Sequence, residues 1–156
     1  MKNKKKFSLV LVKPSHYDDD GYVIQWFRSS MPANSLACLY GLAVECDKEK
    51  VLGENVEIEI HAFDEANTHI NTKKITSIIE SADDGMLMLV GVQTNQFPRS
   101  LDIAEPLRAK GIKVVVGGFH VSGGMSMLKE PDNFIQKALD IGVSIFSGEA
   151  EGRLGQ

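Results

Sequence analysis

The sequence has little cysteine, no excess of basic residues and no long apolar run, and each shortage removes a class of function. Its two cysteines, Cys38 and Cys46, carry no paired-cysteine motif, so neither a disulfide framework nor a zinc or iron–sulfur site is indicated. Both are expected to be buried thiols. A formal net charge of −4 leaves no basic face to neutralise phosphates, which argues against a nucleic-acid partner. The one lysine cluster, Lys2, Lys4, Lys5 and Lys6, reads as a solvated basic tail over residues 1–6. No apolar run approaches the ~20 residues that cross a bilayer, and no signal-peptide pattern opens the chain. A cytoplasmic protein without a membrane partner is therefore expected. A Walker motif is missing too, and the glycines of "GGFHVSGG" do not match a GxGxxG that opens a helix.

What is there is a regular alternation. With 156 residues, 43% of them hydrophobic, the chain can bury one core, and residues 7–152 are expected to form one domain. Short apolar runs recur at "FSLVLVK", "VEIEIHAF", "MLMLVGVQ", "IKVVVGG" and "VSIFSG", implying five strands. The first, third and fourth are almost continuously apolar, as strands covered on both faces of a parallel sheet are. The second alternates Val56, Ile58 and Ile60 with Glu57, Glu59 and His61, which suits an edge.

Between the strands, helical spacing predicts four helices. Asn34 or Ser35 can cap the first, with Leu36, Leu39, Tyr40 and Ala43 inward, and Asn71 or Thr72 the second, with Ile75, Ile78, Ile79 and Ala82 inward. The third spans Pro98 to Gly111, where Pro106 predicts a kink or a later start. The fourth spans Pro131 to Asp140, with Phe134, Ile135, Ala138 and Leu139 inward. The pattern predicts an α/β, Rossmann-like or flavodoxin-like doubly wound fold, a five-stranded parallel sheet in the order 2-1-3-4-5. Ligands of such sheets bind beyond the carboxyl ends of the strands.

Those ends are unusual here. The first loop, "KPSHYDDDGYVIQWFRSSMPANS", holds about twenty residues where crossovers usually need two to six. Its Asp18, Asp19 and Asp20 read as an acidic turn rather than a metal site, because no calcium-loop spacing follows them. Trp26 and Phe27 either pin this loop to the body or line a pocket. His61 and His69 are read as surface residues. The fourth loop places Gly117 and Gly118 at the end of a buried strand, where either positive φ or the close approach of a ligand or another element calls for bare backbone.

Taken in order, the loops resemble those of the N-terminal cobalamin-binding domain of radical S-adenosylmethionine enzymes. The matching segments are Pro32 to Leu36 in "PANSLACLYGLA", Thr94-Asn95 in "VQTNQFPRS", Gly117-Gly118-Phe119-His120, and Gly148-Glu149-Ala150-Glu151. The resemblance implies a bound cobalamin, its nucleotide tail threading between a strand end and a helix. Gly117 and Gly118 would floor that slot, Thr94, Ser122 and Gly148 would lie near the tail or ring, and Asn95, Phe119, His120 and Glu149 complete the contact set. Because "KPSHYDDDG" lacks the DxHxxG of the mutase-type domains, the cofactor is expected base-off without a protein histidine below cobalt, His16 being the one alternative ligand. The CxxxCxxC that holds a 4Fe-4S cluster and S-adenosylmethionine is missing, which implies that residues 153–156 begin a linker to a C-terminal radical module of the same chain.

Two other readings compete. One is a flavodoxin-like small-molecule-binding or regulatory domain without catalysis. The other is a stand-alone enzyme in which His120 is a base and Glu149 or Glu151 a second titratable group on the same edge.

Overall fold

The computed structural model describes residues 4–26, 33–127 and 132–155. Phe27, Pro32 and Pro131 lie outside them. The described chain runs β1 (Lys5–Lys13), α1 (Asn34–Lys48), β2 (Val56–Asp64), α2 (Thr72–Glu80), β3 (Asp84–Leu89), a 3-10 turn (Thr94–Gln96), α3 (Phe97–Arg108), β4 (Lys113–Gly117), α4 (Phe119–Met127), α5 (Asn133–Asp140) and β5 (Ser144–Phe146). The five strands form one parallel sheet in the order β2-β1-β3-β4-β5, as the alternation predicts. This is a flavodoxin-like doubly wound arrangement, with the switch of direction between β1 and β3.

The two faces of the sheet are covered unequally. On one, Val10, Val12, Leu87, Leu89, Val114 and Val116 pack under Ile75 and Ile79 of α2, Leu101 and Leu107 of α3, and Ile135 of α5. Each such fully buried aliphatic side chain contributes roughly 1.5–3 kcal/mol of apolar burial. On the other face, Leu9, Leu11 and Val90 meet Leu36, Leu39 and Ala43 of α1, and Met86 and Met88 stay partly exposed. Helix α1 lies over β1 and β2, so the β3, β4 and β5 part of this face has a thinner cover.

Several expectations are corrected. Lys5 and Lys6 belong to β1 rather than to a free tail: Lys5 pairs with Val56, and Lys6 bonds Glu59 and Asp83. Helix α1 has Ala33 in the capping position, without a side-chain cap, and its Tyr40 is exposed because Leu36, Leu39 and Ala43 already fill the narrow contact with the sheet. Asn71 does cap α2, accepting from the Lys74 N–H. Pro106 falls in the last turn of α3 with its ring in solvent, and Gly111 closes the helix at φ +77°. Asp132 caps α5, whose buried stripe is only Ile135 and Ala138; Phe134 and Leu139 flank it and are exposed. The largest difference is α4, a fifth helix in the segment expected to be a loop.

Candidate functional site

Two cavities of about 220 Å³ each open at the carboxyl edge of the sheet. The first lies where the second face is thinly covered. Ser35, Cys38 and Leu39 of α1 line it, with Met88 of β3, Val115 and Gly117 of β4, Phe146 of β5 and, past the strand ends, Gly118, Gly148 and Glu149. Its surface is mostly apolar. Cys38 is exposed at this cavity and Cys46 is half-buried further along α1, so neither is the buried thiol expected. The stripe of α1 packed on the sheet is Leu36, Leu39 and Ala43, at i, i+3 and i+7, and Cys38 lies off it, at the cavity beside the helix.

Gly117 and Gly118 both line this cavity but answer to different neighbours. A Cβ at Gly117 would stand 3.3 Å from the Phe146 carbonyl oxygen, a tight contact. At Gly118, φ is +141° and a Cβ would come within 2.1 Å of the Val92 nitrogen. The chain's own backbone therefore demands glycine at 118. Val92 donates its N–H to the Gly117 carbonyl at 3.0 Å and accepts from the His120 N–H at 3.2 Å, locking the end of β3 against the start of α4. Ser122 and Gly148 are brought together directly, the Gly148 N–H donating to Ser122 Oγ at 3.1 Å.

Other residues of the expected contact set lie elsewhere. His120 is buried on the α3 and α5 side, its ring 4.7 Å from that of Phe97. Its Nδ1 stands 3.1 Å from Thr94 Oγ1, and its Nε2 stands 2.9 Å from Asp132 Oδ2. The second approach is close but falls outside hydrogen-bond geometry. The acidic neighbour of His120 is thus Asp132, while Glu149 and Glu151 line the apolar cavity. Asp132 also caps α5: its Oδ1 accepts from the Phe134 and Ile135 N–H groups, leaving Oδ2 for the histidine. Phe119, 75% exposed, and Asn95 both face solvent.

His16 lines the second cavity with Lys13, Ser15, Trp26, Asp64 and Gln96, and the two cavities share no lining residue. Residues 17–23 of the long first loop form a small hairpin: Tyr17 bridges Val23, and Asp18 Oδ1 accepts from the Asp20 and Tyr22 N–H groups. The acidic turn is held by its own backbone, as expected of an Asx turn. Among the described residues no group of three or more His, Cys, Asp or Glu side chains gathers in a metal-binding arrangement.

What anchors the loop went unread in the sequence. Glu65, fully buried just past β2, accepts from the Ser15 N–H and forms an ion pair of 2.6 Å with Arg99 of α3. Tyr17 donates to Asp102 Oδ2 and accepts from Arg99 Nη1. Burial, and then the hydrogen bond to Asp102, pushes the Tyr17 phenol above its ordinary value. The side chains of Tyr22 and Trp26 are 73% and 65% exposed, and Trp26 is tied through its backbone N–H to the Ala66 carbonyl. Glu65 and Arg99 carry no local signal, because the residues that meet are 34 apart in the chain.

No family model matches the chain, and neither a curated protein nor a solved structure matches it.

Proposed function

We propose that this chain is a cobalamin-binding module in which the apolar cavity between α1 and the ends of β3, β4 and β5 takes the nucleotide tail. One observation carries the reading. Gly117, Gly118, Gly148 and Glu149, four of the residues that the resemblance assigns to the cofactor, line one cavity at the carboxyl edge of a doubly wound sheet. Its walls are mostly apolar and Gly117 and Gly118 contribute bare backbone to them, as suits a flat aromatic base entering edgewise.

The fit is partial. A cavity of about 220 Å³ accepts the base but not a corrin, which would have to lie across the strand ends outside it. His16, facing the other cavity, and His120, turned to the opposite side of the sheet, do not border this one. Cobalamin, where bound, supplies the organometallic chemistry of methyl transfer or of radical steps; the chain's part is to hold and orient it. A 4Fe-4S cluster does not fit the cysteines present. Cys38 and Cys46 stand on one helix, more than two turns apart, and a cluster needs several convergent thiolates. Cluster, S-adenosylmethionine and substrate would belong to a separate module.

The limited volume also favours a second reading, a small-molecule-binding or regulatory domain without catalysis, because such a pocket suits a planar ligand smaller than a vitamin.

Incubation with hydroxocobalamin followed by gel filtration distinguishes the two. The first predicts a corrin band co-eluting with the protein and lost in Cys38→Trp, which plugs the cavity from an exposed position and leaves the circular dichroism spectrum unchanged. Folded wild-type protein that retains no corrin, or a variant that retains as much as wild type, would overturn it.

A further inference from the structure

The second cavity contains a lysine that has no ionic partner among the described residues. Lys13 closes β1 at the point where the strand order reverses, and its side chain runs inward past Gly91. Its Nζ donates to the Gly91 carbonyl at 2.7 Å and to Gln96 Oε1 at 2.6 Å. Both acceptors are neutral, and no described carboxylate stands within ion-pair distance. Gln96 is itself fixed, because the same oxygen accepts from the Gln93 N–H at 3.0 Å. The remaining valence of Nζ is left for the cavity, which His16, Ser15 and Trp26 also line.

We propose that Lys13 is a reactive amine and that this cavity captures a small aldehyde or ketone as an imine on Lys13 Nζ. Three features support it. A lysine held by neutral acceptors in a partly dry site is the recurrent form of Schiff-base lysines. The cavity, about 220 Å³, lies below the ~300–1,000 Å³ of pockets for drug-sized ligands, which restricts the carbonyl compound to a small one. Burial lowers the Lys13 ammonium from its ordinary value to about 8, with Asp64 acting in the opposite direction. The titrating groups around it are His16 of the first loop and Asp64 at the end of β2; Glu65 beyond them is engaged by Arg99.

The chemistry needs no added oxidant or reductant. The neutral amine attacks the carbonyl carbon, a C–N bond forms, and the carbonyl π pair moves to oxygen, which takes up a proton. The carbinolamine then loses its hydroxyl as water together with the proton left on nitrogen, giving C=N. His16, lining the same cavity, is the group present to exchange those protons.

The test is reductive trapping. The protein is incubated with propionaldehyde, and separately with pyruvate, in the presence of cyanoborohydride at pH 7.5, then mapped by peptide mass spectrometry. Lys13 is expected to be modified roughly tenfold or more faster than the other lysines, because a far larger fraction of it is neutral. Its rate should level off near pH 8 where theirs still climbs, and Asp64→Asn should shift that profile to lower pH. Labelling that follows exposure across all lysines, or a folded protein in which Lys13 is spared, would overturn the proposal. Lys13→Arg removes the amine while keeping the charge, and its adduct should vanish with the fold intact. Because Lys13 is absent from the apolar cavity, failure of this proposal leaves the cobalamin reading untouched, and the converse holds.

Discussion

At the scale of single residues, the two adjacent glycines at the end of β4 separate a structural demand from a ligand's. Gly118→Ala would place a methyl group 2.1 Å from the Val92 nitrogen and 2.7 Å from the Gly91 carbonyl carbon at a φ of +141°, and both are backbone atoms that cannot swing aside. It should destabilise the fold by about 3 kcal/mol or more in urea unfolding, with any loss of ligand following from that. Gly117→Ala meets the Phe146 carbonyl at 3.3 Å and the Phe146 side chain at 3.5 and 3.7 Å, and the smaller entropy of its unfolded chain offsets part of the contact, so stability should stay within about 1 kcal/mol of wild type. Position 117, not 118, is therefore the place to probe the cavity. In the sequence the pair reads as one signal, since two glycines in a row do not reveal which meets the backbone at the end of β3 and which meets Phe146 at the cavity. The same limit hides Lys13: a lysine after an apolar strand reads as the strand's polar end, and only the fold shows Gly91 and Gln96 around it.

At the scale of elements, the strands and the amphipathic helices were legible because burial repeats with the period of the element. Ile75 and Ile79 of α2 and Ile135 and Ala138 of α5 are cases of this. Helix α4 was not, because "FHVSGGMSM" has no amphipathic period and carries two glycines, each costing about 1 kcal/mol against alanine in a helix. The anchor of the first loop was equally hidden, being built of side chains from three separate segments. Arg99→Met would leave the Glu65 carboxylate buried with only the Ser15 N–H to satisfy it, and should cost about 3–5 kcal/mol. Glu65→Gln added to that variant should recover part of the loss, and limited proteolysis should show residues 15–26 cut faster in the single variant than in the double. At the opposite side of the sheet, Asp47 ties α1 to β2: the Ile58 N–H, and then Lys50, hold its carboxyl below the ordinary value. A lowered folded value means stability that is present above the unfolded value of ~3.9 and disappears as the pH falls through the folded one. Asp47→Asn should accordingly flatten the acid limb of stability below about pH 4 and leave the neutral plateau little changed in shape.

At the scale of the whole molecule, the unequal cover of the sheet connects fold to function. One face carries α2, α3 and α5 and is closed; the other carries α1 over β1 and β2, and the apolar cavity lies beside that helix. A ligand filling the cavity would complete the thin face, so its binding energy should appear as folding stability, about 2.7 kcal/mol at a hundredfold excess over Kd. For a chain of this size each kcal/mol raises Tm by roughly 2–4 °C. Hydroxocobalamin at saturation should therefore raise Tm by several degrees. Cobinamide, which has the corrin but no nucleotide tail, tests where that energy arises. If the tail occupies the slot under Gly117, cobinamide leaves the thin face open and should raise Tm far less, and Cys38→Trp should erase the difference between the two. Equal shifts would mean that the corrin alone is recognised at the strand ends, and the apolar cavity would then be free for a different ligand.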